Sequence, residues 1–165
     1  MRLASTVRVS ATLLVAVLLY LLILQPRLRL LPAFGPWHEL ATVVEEQEDR
    51  LEAQTGHEPR IVGDGKYQIA SVVAFYRMPI ESDPSEVVLY TTSQWVLGRE
   101  GLGYRFWSEQ QDWVGTDVIY VSDDDDFLRE MTPWFKSVEV IDDPRLRQSR
   151  LYHVAVGHHL LRQPT

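Results

Sequence analysis

Hydrophobic positions change their period along this chain, and each change predicts an element. Residues 9–26 contain no charged side chain, and the run at 10–24 is apolar on every side. At 1.5 Å per residue this stretch reaches about 27 Å as a helix, the lower edge of bilayer thickness. Its eleven Val, Leu and Ile side chains favour insertion by about −3 to −6 kcal/mol. Arg8 and Arg27, at its two ends, extend their charges toward the headgroups. No small-x-small cleavage site follows Leu24, so the segment is expected to stay as a single transmembrane helix rather than leave as a signal peptide.

Beyond it the pattern is that of a globular domain. Gly35-Pro36 opens a helix in which Trp37, Leu40, Ala41, Val44 and Leu51 share one face and Glu45, Glu46, Asp49, Arg50 and Glu52 the other, with Gly56 as its stop. A short strand at 60–62 ends on Gly63-Asp64-Gly65. Residues 67–76 read as a helix apolar on most sides, hence buried. Residues 86–90 read as a second strand, 91–115 as irregular, and 117–121 as a third strand, central and buried on both faces. Asp123 to Asp126 precede a short helix at 127–135, and 138–141 and 151–156 are closing strands. Strands alternating with helices predict an α/β sandwich with a mostly parallel or mixed sheet, the final strands antiparallel. The expected division is 1–32 as membrane anchor and neck, and 33–165 as a soluble domain.

Charge sharpens this division. Four of the 16 Lys and Arg lie in residues 1–36 and none of the 23 Asp and Glu does, so the rest sets twelve basic against 23 acidic side chains. So acidic a domain excludes nucleic acid as a partner. With no cysteine in the chain there is no disulfide, thiol catalysis or thiolate zinc site. Arg2 and Arg8 nearly balance Arg27 and Arg29, and the terminal amine tips the first side toward the cytoplasm. In the neck, Leu28, Leu30, Leu31, Phe34 and Trp37 fit either the membrane interface or the domain core.

Candidate chemistry is sparse. Gly63-Asp64-Gly65 lacks the third glycine of a dinucleotide fingerprint and the ending of a P-loop, so it reads as a tight strand-to-helix turn. Four consecutive aspartates, 123 to 126, cannot converge on one ion and read as a helix cap. His153, His158 and His159 lack the spacing of a zinc site and read as a polar tail. No metal, cofactor or catalytic residue is assigned. Two readings stay open for the loop with Trp95, Tyr104, Phe106, Trp107 and Trp113 beside Gln94, Arg99 and Arg105: a platform for a sugar or isoprenoid headgroup, or a cover for the sheet.

The series Trp37-His38-Glu39-Leu40, then Tyr67-Gln68-Ile69-Ala70-Ser71-Val72-Val73-Ala74-Phe75-Tyr76, Tyr104-Arg105-Phe106-Trp107 and Gly115-Thr116-Asp117-Val118-Ile119-Tyr120-Val121 resembles the C-terminal end of bacterial multi-spanning glycosyltransferases that use polyprenyl-phosphate sugars. These include the dolichyl-phosphate-mannose protein mannosyltransferases and the lipid A aminoarabinose transferases. The likeness covers residues 10–156 through short, mostly structural motifs. It implies a domain outside the cytoplasm, in the cell envelope, with Tyr67, Gln68, Tyr104, Arg105 and Trp107 as contacts for sugar or polyprenyl-phosphate sugar. The family's catalytic acids and donor site belong to a membrane domain with no counterpart in this sequence. The resemblance therefore implies an accessory or fragmentary chain working with a multi-spanning glycosyltransferase subunit. A stand-alone anchored protein that binds a sugar or lipid headgroup, or acts as a scaffold, is the alternative.

Overall fold

In the computed structural model of the chain, the described residues are 13–15, 17–18, 36–81, 83–101, 103–107, 113–149 and 151–162, without the side chains of 105, 107, 148 and 149. The chain divides into two units, Met1–Gly35 and Pro36–Thr165. In the first, residues 13–15 and 17–18 are helical, with Leu13, Leu14, Val15, Val17 and Leu18 exposed. Most of the expected span, and Leu28, Leu30, Leu31 and Phe34 of the neck, lie outside the described residues. Among the described residues, no helix is long and apolar enough to cross a membrane.

The second unit is a mixed α/β fold around one five-stranded sheet of order β2-β1-β3-β5-β4. Its strands are β1 (Arg60–Gly63), β2 (Thr91–Ser93), β3 (Val118–Ser122), β4 (Phe135–Val140) and β5 (His153–Leu160). β1 pairs in parallel with β2 and with β3, while β5 runs antiparallel to both β3 and β4. The carboxyl ends of β1, β2, β3 and β4 therefore share one edge of the sheet. β3 lies in the middle and is buried along its whole length, as its unbroken apolar run required.

The period-two alternation of each strand divides the core into two layers. Ile61, Ile119, Val121, Val154 and Val156 face helices α1 (Trp37–Thr55), α2 (Gln68–Arg77) and α6 (Pro144–Ser149), meeting Leu40, Val43, Val44, Leu51, Ile69, Val73 and Leu146. Val62, Val118, Tyr120 and Ala155 face the other side, under Val96, Leu97, Trp113, Phe127 and Met131. That second layer holds the short helix α5 (Phe127–Met131) and two 3-10 turns, Gln94–Leu97 and Thr132–Trp134, while the short helix α4 (Tyr104–Trp107) follows the first of these turns in the chain. Trp37 belongs to the core side, its ring 4.3 Å from that of Tyr152.

Three sequence expectations need correction. Residues 86–90 are helical: α3 (Pro84–Tyr90) starts on Asp83, whose Oδ1 accepts from Ser85 N at 2.9 Å, with Pro84 in the first turn. The cap and proline outweigh the β-branched pair Val87-Val88, and the strand is only the three residues that follow. Next, α2 is not buried all round. Ile69, Ala70, Val73 and Arg77 are buried, but Phe75 is 67% exposed. Finally, His158 and His159 are no tail, because β5 continues through Gly157 to Leu160. A Cβ on Gly157 would lie 2.6 Å from the Phe135 ring, so this glycine makes room for an aromatic side chain rather than ending a strand. His158 Nδ1 then sits 3.0 Å from Asp117 Oδ2.

Candidate functional site

The predicted contacts lie on α2 and α4. Tyr67 precedes α2 and is exposed, as is Gln68 in its first turn. Tyr104 opens α4 and brings its hydroxyl 3.0 Å from that of Ser71 on α2. Arg105 and Trp107 belong to the same short helix, and their side chains fall outside the described ones. Of the remaining aromatics, Trp113 is buried and meets Trp95 edge to face at 6.1 Å, so both cover the sheet. Phe106 stays 72% exposed.

Between α2 and α3 the Ser71–Tyr104 pair edges a cleft of about 270 Å3. Ala74, Phe75 and Met78 form one wall, Val87, Val88 and Leu89 the other, with Thr91 and Thr92 also lining it. Val88 and Leu89 are exposed beside it. Apolar surface left open and contiguous marks a binding groove more often than an accident of packing. Sequence reasoning missed Phe75, Val88 and Leu89 as site residues. Their signal was the apolar surplus of α2 and α3, beyond what one buried face requires.

A second feature is polar and lies on the carboxyl edge of the sheet, where ligands of open α/β sheets gather. Gly63 lets β1 turn tightly against α2, since a Cβ there would meet Ala70 N at 2.2 Å. The turn buries Asp64, which accepts from Gly65 N (2.7 Å) and from the Ser122 hydroxyl at the end of β3 (2.6 Å). Arg99 Nη1 stands 3.5 Å from Asp64 and is also bonded to Glu130. The buried Tyr120 hydroxyl lies close by without a well-formed hydrogen bond. Burial, and then the Asp64 charge, hold its phenol above the usual range. Gly63-Asp64-Gly65 is accordingly the tight turn expected, fastened by its own carboxylate.

Further along the same edge lies a cavity of about 620 Å3, between the ends of β3 and β4 and the start of β5. Val140, Ile141, Leu146 and Val154 give it apolar walls, and Tyr152, His153, Asp125, Asp142 and Arg147 line it as well. His153 Nε2 sits 3.0 Å from Asp125 Oδ1, its ring stacked on Phe127. The aspartate run is exposed throughout. Asp124 N donates to Ser122 Oγ (3.0 Å) and Asp126 N to Asp124 Oδ1 (2.9 Å), so the aspartates shape the turn into α5, although Asp126 makes no side-chain cap bond.

A third cluster escaped the sequence altogether. Arg77, at the end of α2, is 1% exposed and donates from Nε to Glu45 Oε2 (2.7 Å), bonds Glu48 through Nη2, and reaches Thr91 Oγ1 at 3.4 Å. Glu81 Oε2 stands 3.8 Å from Nη2. Burial above all, and then Glu81, push the Glu45 carboxyl up to about 7 despite the guanidinium.

No family model, no curated protein and no solved structure matches this chain.

Proposed function

We propose that this chain is an anchored accessory module of a polyprenyl-phosphate-sugar glycosyltransferase, its α/β domain outside the cytoplasm and its α2–α3 cleft holding the isoprenoid part of a lipid-linked sugar. The observation that carries this reading is the cleft itself. It is apolar on both walls, open along exposed Phe75, Val88 and Leu89, and edged by two hydroxyls, Ser71 and Tyr104, suited to the polar end of such a molecule. The exposed apolar residues 13–15 and 17–18 and the uncharged run around them support an anchor that keeps the domain within reach of lipid. The described residues that line the cleft include no carboxylate or imidazole, and in this reading glycosyl transfer falls to a multi-spanning partner.

Two measurements test it. Affinity capture of the full-length protein from solubilised membranes should recover a multi-spanning glycosyltransferase. A photoreactive polyprenyl-phosphate analogue should label peptides of α2 and α3. Recovery of the protein alone, with no labelling above a detergent control, sinks the reading.

The cavity of about 620 Å3 favours a second reading, a stand-alone anchored protein that binds a sugar, because its volume suits a small ligand and it combines Tyr152 with His153, Asp142 and Arg147. That reading predicts a sugar-dependent thermal shift lost on Tyr152→Ala, with no partner captured.

A further inference from the structure

The Arg77 cluster carries more negative charge than its one guanidinium balances. Counted over Glu45, Glu48, Glu81 and Arg77 alone, the formal charge is −2, inside a seam where the carboxylates are between 5% and 14% exposed. The groups around it do not favour ionisation. β2 adds only the neutral Thr91 hydroxyl, and Glu58, which faces Glu81, adds further negative charge beside Arg60 and Glu86. Unbalanced charge of this kind is costly to bury, and either protons or a cation must reduce it.

Two independent observations point to a cation. One oxygen from each of the three glutamates can be chosen so that all lie within 4.8 Å of one another. Such separations admit any hard divalent cation, and of these Ca2+ accepts several carboxylates in a flexible geometry, whereas Mg2+ demands a near-ideal octahedron and keeps most of its waters. Separately, Glu48 is 4% exposed and its Oε1 has no hydrogen-bond partner, while Oε2 is taken by Arg77. A buried carboxylate oxygen with no protein partner calls for a water or an ion, and beside two further carboxylates an ion answers the charge as well.

We propose that the seam between α1 and α2 binds a hard divalent cation of calcium's size through Glu45, Glu48 and Glu81, with Arg77 as the positioning residue that holds the carboxylates together. Arg77 grips one oxygen each of Glu45 and Glu48 and leaves the second to the ion. With Ca2+ present the four side chains and the ion sum to zero. The ion joins α1 to the turn after α2, which also leads into α3.

The test uses full-length protein in detergent micelles, stripped with EGTA and titrated with CaCl2 or MgCl2 by calorimetry and by thermal unfolding. Calcium should bind with one-to-one stoichiometry and raise the midpoint, and magnesium should do so more weakly. Glu48→Gln should weaken calcium binding by on the order of tenfold or more while the far-UV spectrum stays native. If Glu48→Gln does not fold, Glu81→Gln on the more accessible turn gives the same reading. Equal midpoints in calcium and EGTA overturn the proposal. So does a calcium response that survives these substitutions, which would belong to another cluster such as Asp123-Asp124-Asp125-Asp126.

Discussion

Ser122, the last residue of β3, donates its hydroxyl hydrogen to Oδ2 of Asp64, the residue after β1, at 2.6 Å. This bond ties the two central parallel strands together where their chains leave the sheet. Both side chains are buried, so removing the donor leaves a carboxylate oxygen cut off from bulk water, with the poorly placed Tyr120 hydroxyl as its remaining neighbour. Ser122→Ala should therefore cost about 1–3 kcal/mol, more than the net worth of an ordinary hydrogen bond. A lower urea midpoint at unchanged slope checks it. A midpoint within error of wild type would show that water replaces the hydroxyl.

Gly157 and Phe135 form a second fixed pair, across the β4–β5 ladder. The missing side chain of one is occupied by the ring of the other. Gly157→Ala should destabilise by about 1–3 kcal/mol through overpacking. In the Phe135→Leu background its additional cost should shrink, since the ring it meets is gone. Additive costs in the double-mutant cycle would refute the steric account.

The legible parts of this fold share one cause. β1, β3, α1 and α2 were readable because burial on a definite face imposes a period, and Gly56 and Gly63-Asp64-Gly65 marked their ends. Where a local signal competes with that period, reading fails. Residues 86–90 carry the β-branched pair Val87-Val88, yet Asp83 and Pro84 set a helix start, and capping decided. The strand expected at 151–156 runs on through Gly157, which accommodates a ring from a residue 22 positions earlier that no local pattern could show. Tyr104 could be named from the sequence as a candidate contact, but its pairing with Ser71 and the opposite wall from α3 depend on packing. Arg77 and its glutamates were invisible for a simpler reason. Charged residues at helical spacing look like a solvated face until a second helix covers them.

The same cluster predicts a pH dependence with a definite sign. Glu45 titrates near 7 in the folded chain against an ordinary value of 4.5. The folded state therefore binds more protons than the unfolded state between these values, and stability falls as pH rises through that window. The contribution is complete below about 4.5 and lost above about 7. Glu58, also raised to about 7 by burial and then by neighbouring acids, slopes the same way. The difference curve between wild type and Glu45→Gln isolates the first group. Unfolding free energies measured in EGTA from pH 4.5 to 8 should show the wild type losing stability relative to the variant between 4.5 and 7 and running parallel above. A difference that stays flat would mean that Glu45 is ionised throughout, held by Arg77.

The cleft offers the most direct separation of packing from function. Ala74 is one of its lining residues and only half-buried, at the border of the α2 face that carries Ala70, Val73 and Arg77 into the core. A tryptophan there has open volume to enter, whereas the same change at a core position such as Val73 would force the sheet apart. Ala74→Trp should leave the thermal midpoint within a few degrees of wild type and abolish labelling by a photoreactive polyprenyl-phosphate analogue. Phe75→Ser, at a ring already 67% exposed, should weaken labelling with little effect on stability. If Ala74→Trp folds normally and labelling persists on α2 and α3, the isoprenoid lies on the outer surface rather than between the helices, and the cleft is only a crease between two helices.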